Sequence, residues 1–453
     1  MLAPRRLARL LSPPLLAVGL AAPAACRSKS PPPPGGRPAG SAAPAVAGPR
    51  PAEPACRDVA AAGSLTLGSA ADAPASDEEG EVELPFAVEL GRGRAGSGVF
   101  AVGGIESRGG GSYALLARVS TAKDESQTVE LGRVHGDVEP PAVALFRDRV
   151  LIAIPSSDAG GVTLRLAVLA PPFTPGALRK GPELTGVRRD ASGFALETSG
   201  ERALLAFSEL HKGRGRIALA VIDAEAPSLR GSVLAAPEPL GGADGEVEAP
   251  RLARRASGYY LAYIARTPGA RRAARAETDA GISEALLDEG ASAIEIVPLD
   301  LDGRATARPA RLTPPRANVI AFELAPAPGG GALVTYSDDK EGPGLDRASL
   351  QAVHVRPDGS FRATTWEVGA SSGLASVLVD PEPPNAAAWA WIGLSDERAT
   401  RIFALGDDPL VLDAGAPAFD APFELLSALG GRFLSVRARG RQRELSVVTC
   451  RSR

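Results

Sequence analysis

Gly80-Glu81-Val82-Glu83-Leu84-Pro85 returns as Gly136-Asp137-Val138-Glu139-Pro140-Pro141 and again as Gly245-Glu246-Val247-Glu248-Ala249-Pro250, with a weaker copy at Phe419-Asp420-Ala421-Pro422. The aligned prolines Pro85, Pro141, Pro250 and Pro422 are separated in turn by 56, 109 and 172 residues, close to one, two and three multiples of about 55. A second marker keeps the same register. Short extended runs lead through tight Gly or charged turns into strongly apolar strands at 98–102, 150–154, 203–207, 259–264, 332–336, 387–392 and 432–436. Their central residues Phe100, Leu151, Leu204, Tyr260, Leu333, Trp389 and Leu434 are spaced by 51, 53, 56, 73, 56 and 45, and the 73 contains an insertion. Self-similarity at a fixed period marks a repeat architecture.

Composition agrees with a strand-and-turn chain. Gly (51) and Pro (41) make up about a fifth of 453 residues, which disfavours a helical bundle. A period near 55, with room for four short strands per unit, resembles the β-propeller. Residues 56–453 at this period predict an all-β, seven-bladed β-propeller; six or eight blades are the alternatives, because the first and last blades are the hardest to count. The ends suggest how the ring closes. The last unit ends on the strand 443–450 and lacks an outer strand, and Gly63-Ser64-Leu65-Thr66-Leu67-Gly68 looks like the missing piece, as Gly231-Ser232-Val233-Leu234 does in the third blade. This puts Cys56 near Cys450 and predicts a disulfide that locks the closure. Closing so long a loop removes several kcal/mol of unfolded-state entropy in the chain-entropy model.

Upstream of the repeats lie an address and a tether. Arg5, Arg6 and Arg9 precede a short apolar run, as in an export signal spanning residues 1–25. Two cleavage readings compete: an ordinary signal peptidase site at Ala22 and Ala24, which gives a secreted soluble protein, and a lipobox. Pro23-Ala24-Ala25-Cys26 resembles bacterial lipoprotein signals, although Leu is usual where Pro23 stands. That resemblance implies lipidation at Cys26 and a membrane-anchored lipoprotein of the bacterial envelope. It also leaves Cys56 and Cys450 as an even pair in an oxidising compartment. Residues 26–55, with Pro31-Pro32-Pro33-Pro34 and Gly35-Gly36, have little to bury and are expected to form a disordered spacer. The lipid is then the only membrane contact.

Several motifs fail on context. The G-x-G-x-x-G of Gly91 to Gly96 leads into a strand rather than the helix a dinucleotide site needs. The G-x-S-x-G of Gly369 to Gly373 has no His after it, since His135, His211 and His354 all precede Ser371. No two of these His share a metal-ligand spacing. A net charge of −3 lacks the basic excess of a nucleic-acid binder.

What remains is one face. Superposing the units places Glu83, Glu139, Asp190, Glu248, Asn318 and Asp420 around the channel mouth, on the side of the blade-to-blade connections, with Ser372 filling the remaining blade. Such a ring focuses negative potential and suits a cation such as Ca²⁺ or a basic segment of a partner. It equally suits local pairing, with Arg188, Arg189 and Arg251 as partners. The insertion, residues 268–291, is rich in helix formers and is expected to form a short helix beside the mouth. The resulting expectation is an envelope-anchored, non-catalytic interaction module for a protein or polymer partner. The alternative is a carbohydrate-active hydrolase or lyase using acidic residues at the mouth, which requires a deep pocket with converging carboxylates and an aromatic wall.

Overall fold

The apolar segment Ala203–Phe207 is wholly buried, and so is every residue of Gly331–Asp338. Burial on both faces requires a sheet covered on both sides. The fold supplies this by setting sheets face to face around an axis, so that each second strand is sandwiched between neighbours. The computed structural model describes residues between 56 and 450, apart from 67–81, 85, 93–96, 109–110, 124, 135–139, 159, 224–230, 237–245, 268–270, 279–280, 289–290, 316, 339–348, 361–365, 371–375, 380–388, 396–399, 407–410, 414–416, 420–423, 430–431 and 440–441. The export signal, Cys26 and the spacer lie outside the described residues.

The ring is an all-β propeller. Sequence-consecutive antiparallel strands form each sheet, from the axis outwards. One sheet runs Ala142–Phe146, Arg149–Asp158, Gly161–Leu169, Leu178–Glu183, and the next runs Ser192–Ser199, Arg202–His211, Arg214–Asp223, Gly231–Ala235. Another is Glu246–Arg255, Gly258–Arg266, Ser292–Leu299, Ala310–Arg311, followed by Val319–Ala327, Gly331–Asp338, Ser349–Val355, Trp366–Ala370. Then come Ser376–Val379, Ala390–Ser395, Thr400–Leu405 and Val411–Asp413. The closing sheet has nine strands and spans both ends of the chain.

Seven separate blades were expected; among the described residues the hydrogen-bonded sheets of the ring number six. The reason is local. The innermost strands Ala87–Arg92 and Glu424–Leu429 pair in parallel, through Ala87↔Ala428 and Val88↔Leu429, and this merges the first and last repeats into one sheet.

The closure itself follows the sequence reading. Cys56–Thr66 pairs antiparallel with Gln442–Cys450, from Cys56↔Cys450 to Thr66↔Gln442. The Cys56–Cys450 disulfide crosses that pair, with Cα atoms 4.1 Å apart. A second clasp lies inside. Arg432 Nη2 and Nε donate to Glu89 Oε1 and Oε2 at 2.8 and 3.1 Å, and the same guanidinium reaches Ser97 O at 3.3 Å. Only 10% and 4% of these two side chains are exposed, so each depends on the other.

The apolar core is distributed around the ring. Phe146, Leu151 and Leu166 pack on Phe194, Leu205 and Phe207, and Leu204 and Leu219 pack on Tyr259, Leu261 and Val297. Tyr260 and Ile294 meet Phe322 and Val334; Leu333 and Leu350 meet Trp389 and Ile392. Trp391 and Ala404 meet Cys56, Phe433 and Val448. Each sheet therefore buries its apolar surface only against its neighbours, and closing the ring is what leaves no face open.

The insertion corrects a second expectation. It is a β-hairpin, Arg271–Thr278 paired with Gly281–Asp288, and not a helix. Helix propensity is a weak prior, and an isolated helix of two turns does not sustain itself. The hairpin grows from strands that are already antiparallel partners, with Arg266 opposite Ser292 at its root. Its register runs from Arg271↔Asp288 to Thr278↔Gly281.

Candidate functional site: the axial cavity

At 246–250 the G-E-V-E-x-P motif has a backbone role. In Glu246–Arg255 the pairing with the second strand breaks between Glu248 and Arg251, and Ala249 takes a positive φ of 51°. Pro250, which has no N–H to donate, stands in that bulge. Similar irregularities interrupt the innermost strands between Ser192 and Ala195 and between Val319 and Ala321. Gly193, with φ of 65°, faces the Pro250 bulge closely enough that a Cβ there would lie 3.2 Å from the proline ring. The bulges bend the strands around the axis and leave a space between them.

That space is a cavity of about 730 Å³, lined by the innermost strands of every sheet in the ring. Its wall is mainly Pro, Ala, Val and Leu, with Phe86 and Phe194 as its aromatic members. Among the described residues the lining carries three charged ones: Glu197, Arg251 and Glu323. Arg251 Nε lies 3.6 Å from Glu323 Oε2, with 31% and 35% of the two side chains exposed. The guanidinium also sits 5.8 Å from the Phe322 ring centre, and its Nη1 donates to Pro250 O at 3.0 Å. Burial raises the pKa of Glu323, and Arg251 opposes that shift.

Glu197 lies three residues before Gly200, where the hairpin turn of its strand begins. Burial pushes its carboxyl from an ordinary 4.5 up to about 7, against the Thr198 N–H, which donates to it at 2.8 Å, and the nearby charge of Arg254. Tyr259, fully buried, stands close enough for the Glu197 charge to help raise its own pKa, after burial itself. A carboxyl that titrates near neutrality can both give and take a proton at working pH.

The residues expected at the mouth are placed as follows. Asp190 is exposed and pairs with Arg188 at 3.4 Å. Glu248 accepts from Arg266 Nε at 2.6 Å, within its own sheet. Asn318 donates its main-chain N–H to Asp338 Oδ1 at 2.9 Å, and its own Oδ1 accepts from Ser292 Oγ at 3.2 Å. Glu83 pairs through its backbone with Ile105. Glu139, Asp420 and Ser372 lie outside the described residues, as does the side chain of Glu83. Among the described residues no three of His, Cys, Asp and Glu gather where a metal ion could be held.

Glu197 and Glu323 were missed from the sequence, although a signal was present. Phe86-Ala87-Val88-Glu89, Phe194-Ala195-Leu196-Glu197 and Ala321-Phe322-Glu323-Leu324 each carry one acid in an otherwise apolar first strand. An acid there must either be paired, as Glu89 is with Arg432, or face the axis.

No family model matches the chain, and no curated protein matches it. Among solved structures, the chain is similar to a PL25 ulvan lyase bound to -[GlcA(1-4)Rha3S]-, with a TM-score of 0.54 and 9% identity over 82% of this chain and 94% of that one. A further structure titled as a PL25 ulvan lyase gives 0.53 at 8% identity with the same coverage. The polysaccharide lyase Uly1 follows at 0.47, 12% identity, 77% of this chain and 88% of that one. Likeness at this identity is likeness of fold, and it places the chain among propellers. It also corrects the expectation of a non-catalytic interaction module. The two of these structures with the higher TM-scores are titled as polysaccharide lyases.

Proposed function

We propose that this protein is a carbohydrate-active enzyme, a hydrolase or lyase, that works in the axial cavity. The observation that carries the reading is Glu197: a carboxyl held near neutral pKa on the wall of a largely apolar cavity that also holds a second carboxyl, Glu323. Cleavage of a glycosidic bond needs a group that protonates the departing oxygen and a second that accepts a proton or supports positive charge. Glu197 suits the first role, because half of it is protonated near pH 7. Glu323, with the Arg251 guanidinium 3.6 Å away, suits the second. Phe86, half-buried on the wall, offers apolar surface for the C–H face of a sugar. Lipidation at Cys26 and the spacer 26–55 would hold this domain off an envelope membrane, a proposal that rests on the signal residues alone.

The test is product release from a panel of neutral and acidic polysaccharides. New reducing ends report either reaction, and ultraviolet absorbance of an unsaturated sugar reports the lyase alone. Glu197→Gln should lower the rate at least 100-fold, on the order expected for a lost general acid. A panel with no turnover, or a Glu197→Gln protein as active as wild type, would sink the proposal.

A further inference from the structure

The walls of the cavity have no side entrance. They are the innermost strands of every sheet in the ring, so a ligand arriving sideways would have to pass through a seam between two sheets. Those seams are filled. Apolar clusters occupy five of them, as between Phe146 and Phe207 or between Tyr260 and Phe322. Val88 and Leu116 against Ile152 and Leu169 fill the sixth, where the closing sheet meets the sheet that begins at Ala142. Parting any seam would return this apolar surface to water. The ladder from Cys56 to Thr66 and the Cys56–Cys450 bond hold the circle shut as well.

The cavity is open to solvent all the same. Leu429 on its wall is 41% exposed, and Pro326 is exposed too. With closed sides, that access runs along the ring axis. The space is also small: about 730 Å³ falls within the roughly 300–1,000 Å³ of small-molecule sites. Its charged groups gather on one side. Glu197, Arg251 and Glu323 come from three consecutive sheets, and the closing sheet, which contributes Ala87, Leu426 and Leu429, stands opposite the middle one. A sugar ring, with hydroxyls at its edge and C–H groups on its faces, matches a space that is polar on one side and apolar on the other.

We propose that the site takes the end of a glycan chain, or a short oligosaccharide, end-on along the ring axis, and does not cut bonds in the interior of a long chain. The proposal rests on the carbohydrate reading above and adds which bonds are attacked. A polymer lying across an open groove can be cut anywhere along its length. One that must enter a closed ring presents an end first, and only its terminal units reach Glu197 and Glu323. Either reaction balances there. In hydrolysis one water divides its H and OH between the two fragments. In elimination the proton lost from a C–H of one sugar ends on the oxygen that leaves with the other.

Size-exclusion chromatography of digests made with the whole protein tests this. The probes are xylan, carboxymethylcellulose, polygalacturonate and hyaluronan, each intact and sonicated to half its mean length. Short products should appear from the first time points while the polymer peak keeps its elution volume. At equal sugar weight the sonicated sample carries twice the ends, so below saturation its initial rate should be about twofold higher. Leu429→Trp and Pro326→Trp, both at exposed positions of the wall, narrow the space and should each lower kcat/KM by about tenfold or more, with circular dichroism confirming that each variant folds. A polymer peak that moves at once to intermediate sizes, at a rate indifferent to chain length, would overturn the inference and leave the carbohydrate reading standing. Unchanged kcat/KM in both tryptophan variants would overturn it as well. No product from any probe would overturn both.

Discussion

Removing the Cys56–Cys450 bond, by reduction or by Cys56→Ser with Cys450→Ser, should cost the propeller several kcal/mol without opening it. The bridge closes a loop of 394 residues. In the chain-entropy relation a loop of that size removes about 20 cal/mol/K from the unfolded ensemble, or about 6 kcal/mol at 25 °C, and native bridges commonly deliver about 2–5 kcal/mol. The ring should stay closed because three other features hold the same seam. They are the ladder from Cys56 to Thr66, the parallel pairing of the innermost strands, and the buried Glu89–Arg432 pair. Trp391 packs in the same cluster as Cys56 and Phe433, so its fluorescence reports on the seam. Urea unfolding followed by that fluorescence and by far-ultraviolet circular dichroism should show a lower midpoint and a steeper slope, since the chain without the bridge exposes more surface when unfolded. A loss below about 1 kcal/mol would refute the reasoning. So would a native-state fluorescence and dichroism spectrum lost on reduction in the absence of urea, because the remaining seam would then be shown not to hold.

Two further outcomes follow from the same geometry. Glu197 binds its proton more tightly in the folded state than in the unfolded one, so its contribution to stability is complete below pH 4.5 and is lost as pH rises through about 7. Allowing for its contact with the cavity, the loss is about 2 kcal/mol, and Glu197→Gln should abolish it in urea midpoints compared at pH 4 and pH 8. At Gly258, φ is 144° and a Cβ would lie 2.1 Å from Leu299 O; Gly258→Ala should destabilise by about 3 kcal/mol or more in thermal unfolding, and a neutral result would contradict the strand register there.

The repeat was legible because each sheet must solve one problem, two-sided burial with tight turns, and it solves it with the same residue types each time. Ala203–Phe207 and Tyr259–Ile264 declared themselves by continuous apolarity. The odd pair of chain ends, with its two cysteines, declared the closure. The insertion was not legible, since Ala, Arg and Glu describe a helix as well as a ribbon until the strands at its root are known to be paired.

By itself, the sequence determined the all-β repeat, the turns and the joining of Cys56 to Cys450, because these depend on local patterning and on chain order. The tertiary structure alone decided that two ends merge into one sheet and which charges face the axis. Glu89 and Glu197 occupy comparable apolar strands, yet one is consumed by Arg432 from 343 residues away and the other lines the cavity. Nothing local to either glutamate separates them, because the partner that neutralises a buried charge arrives only when the ring has closed.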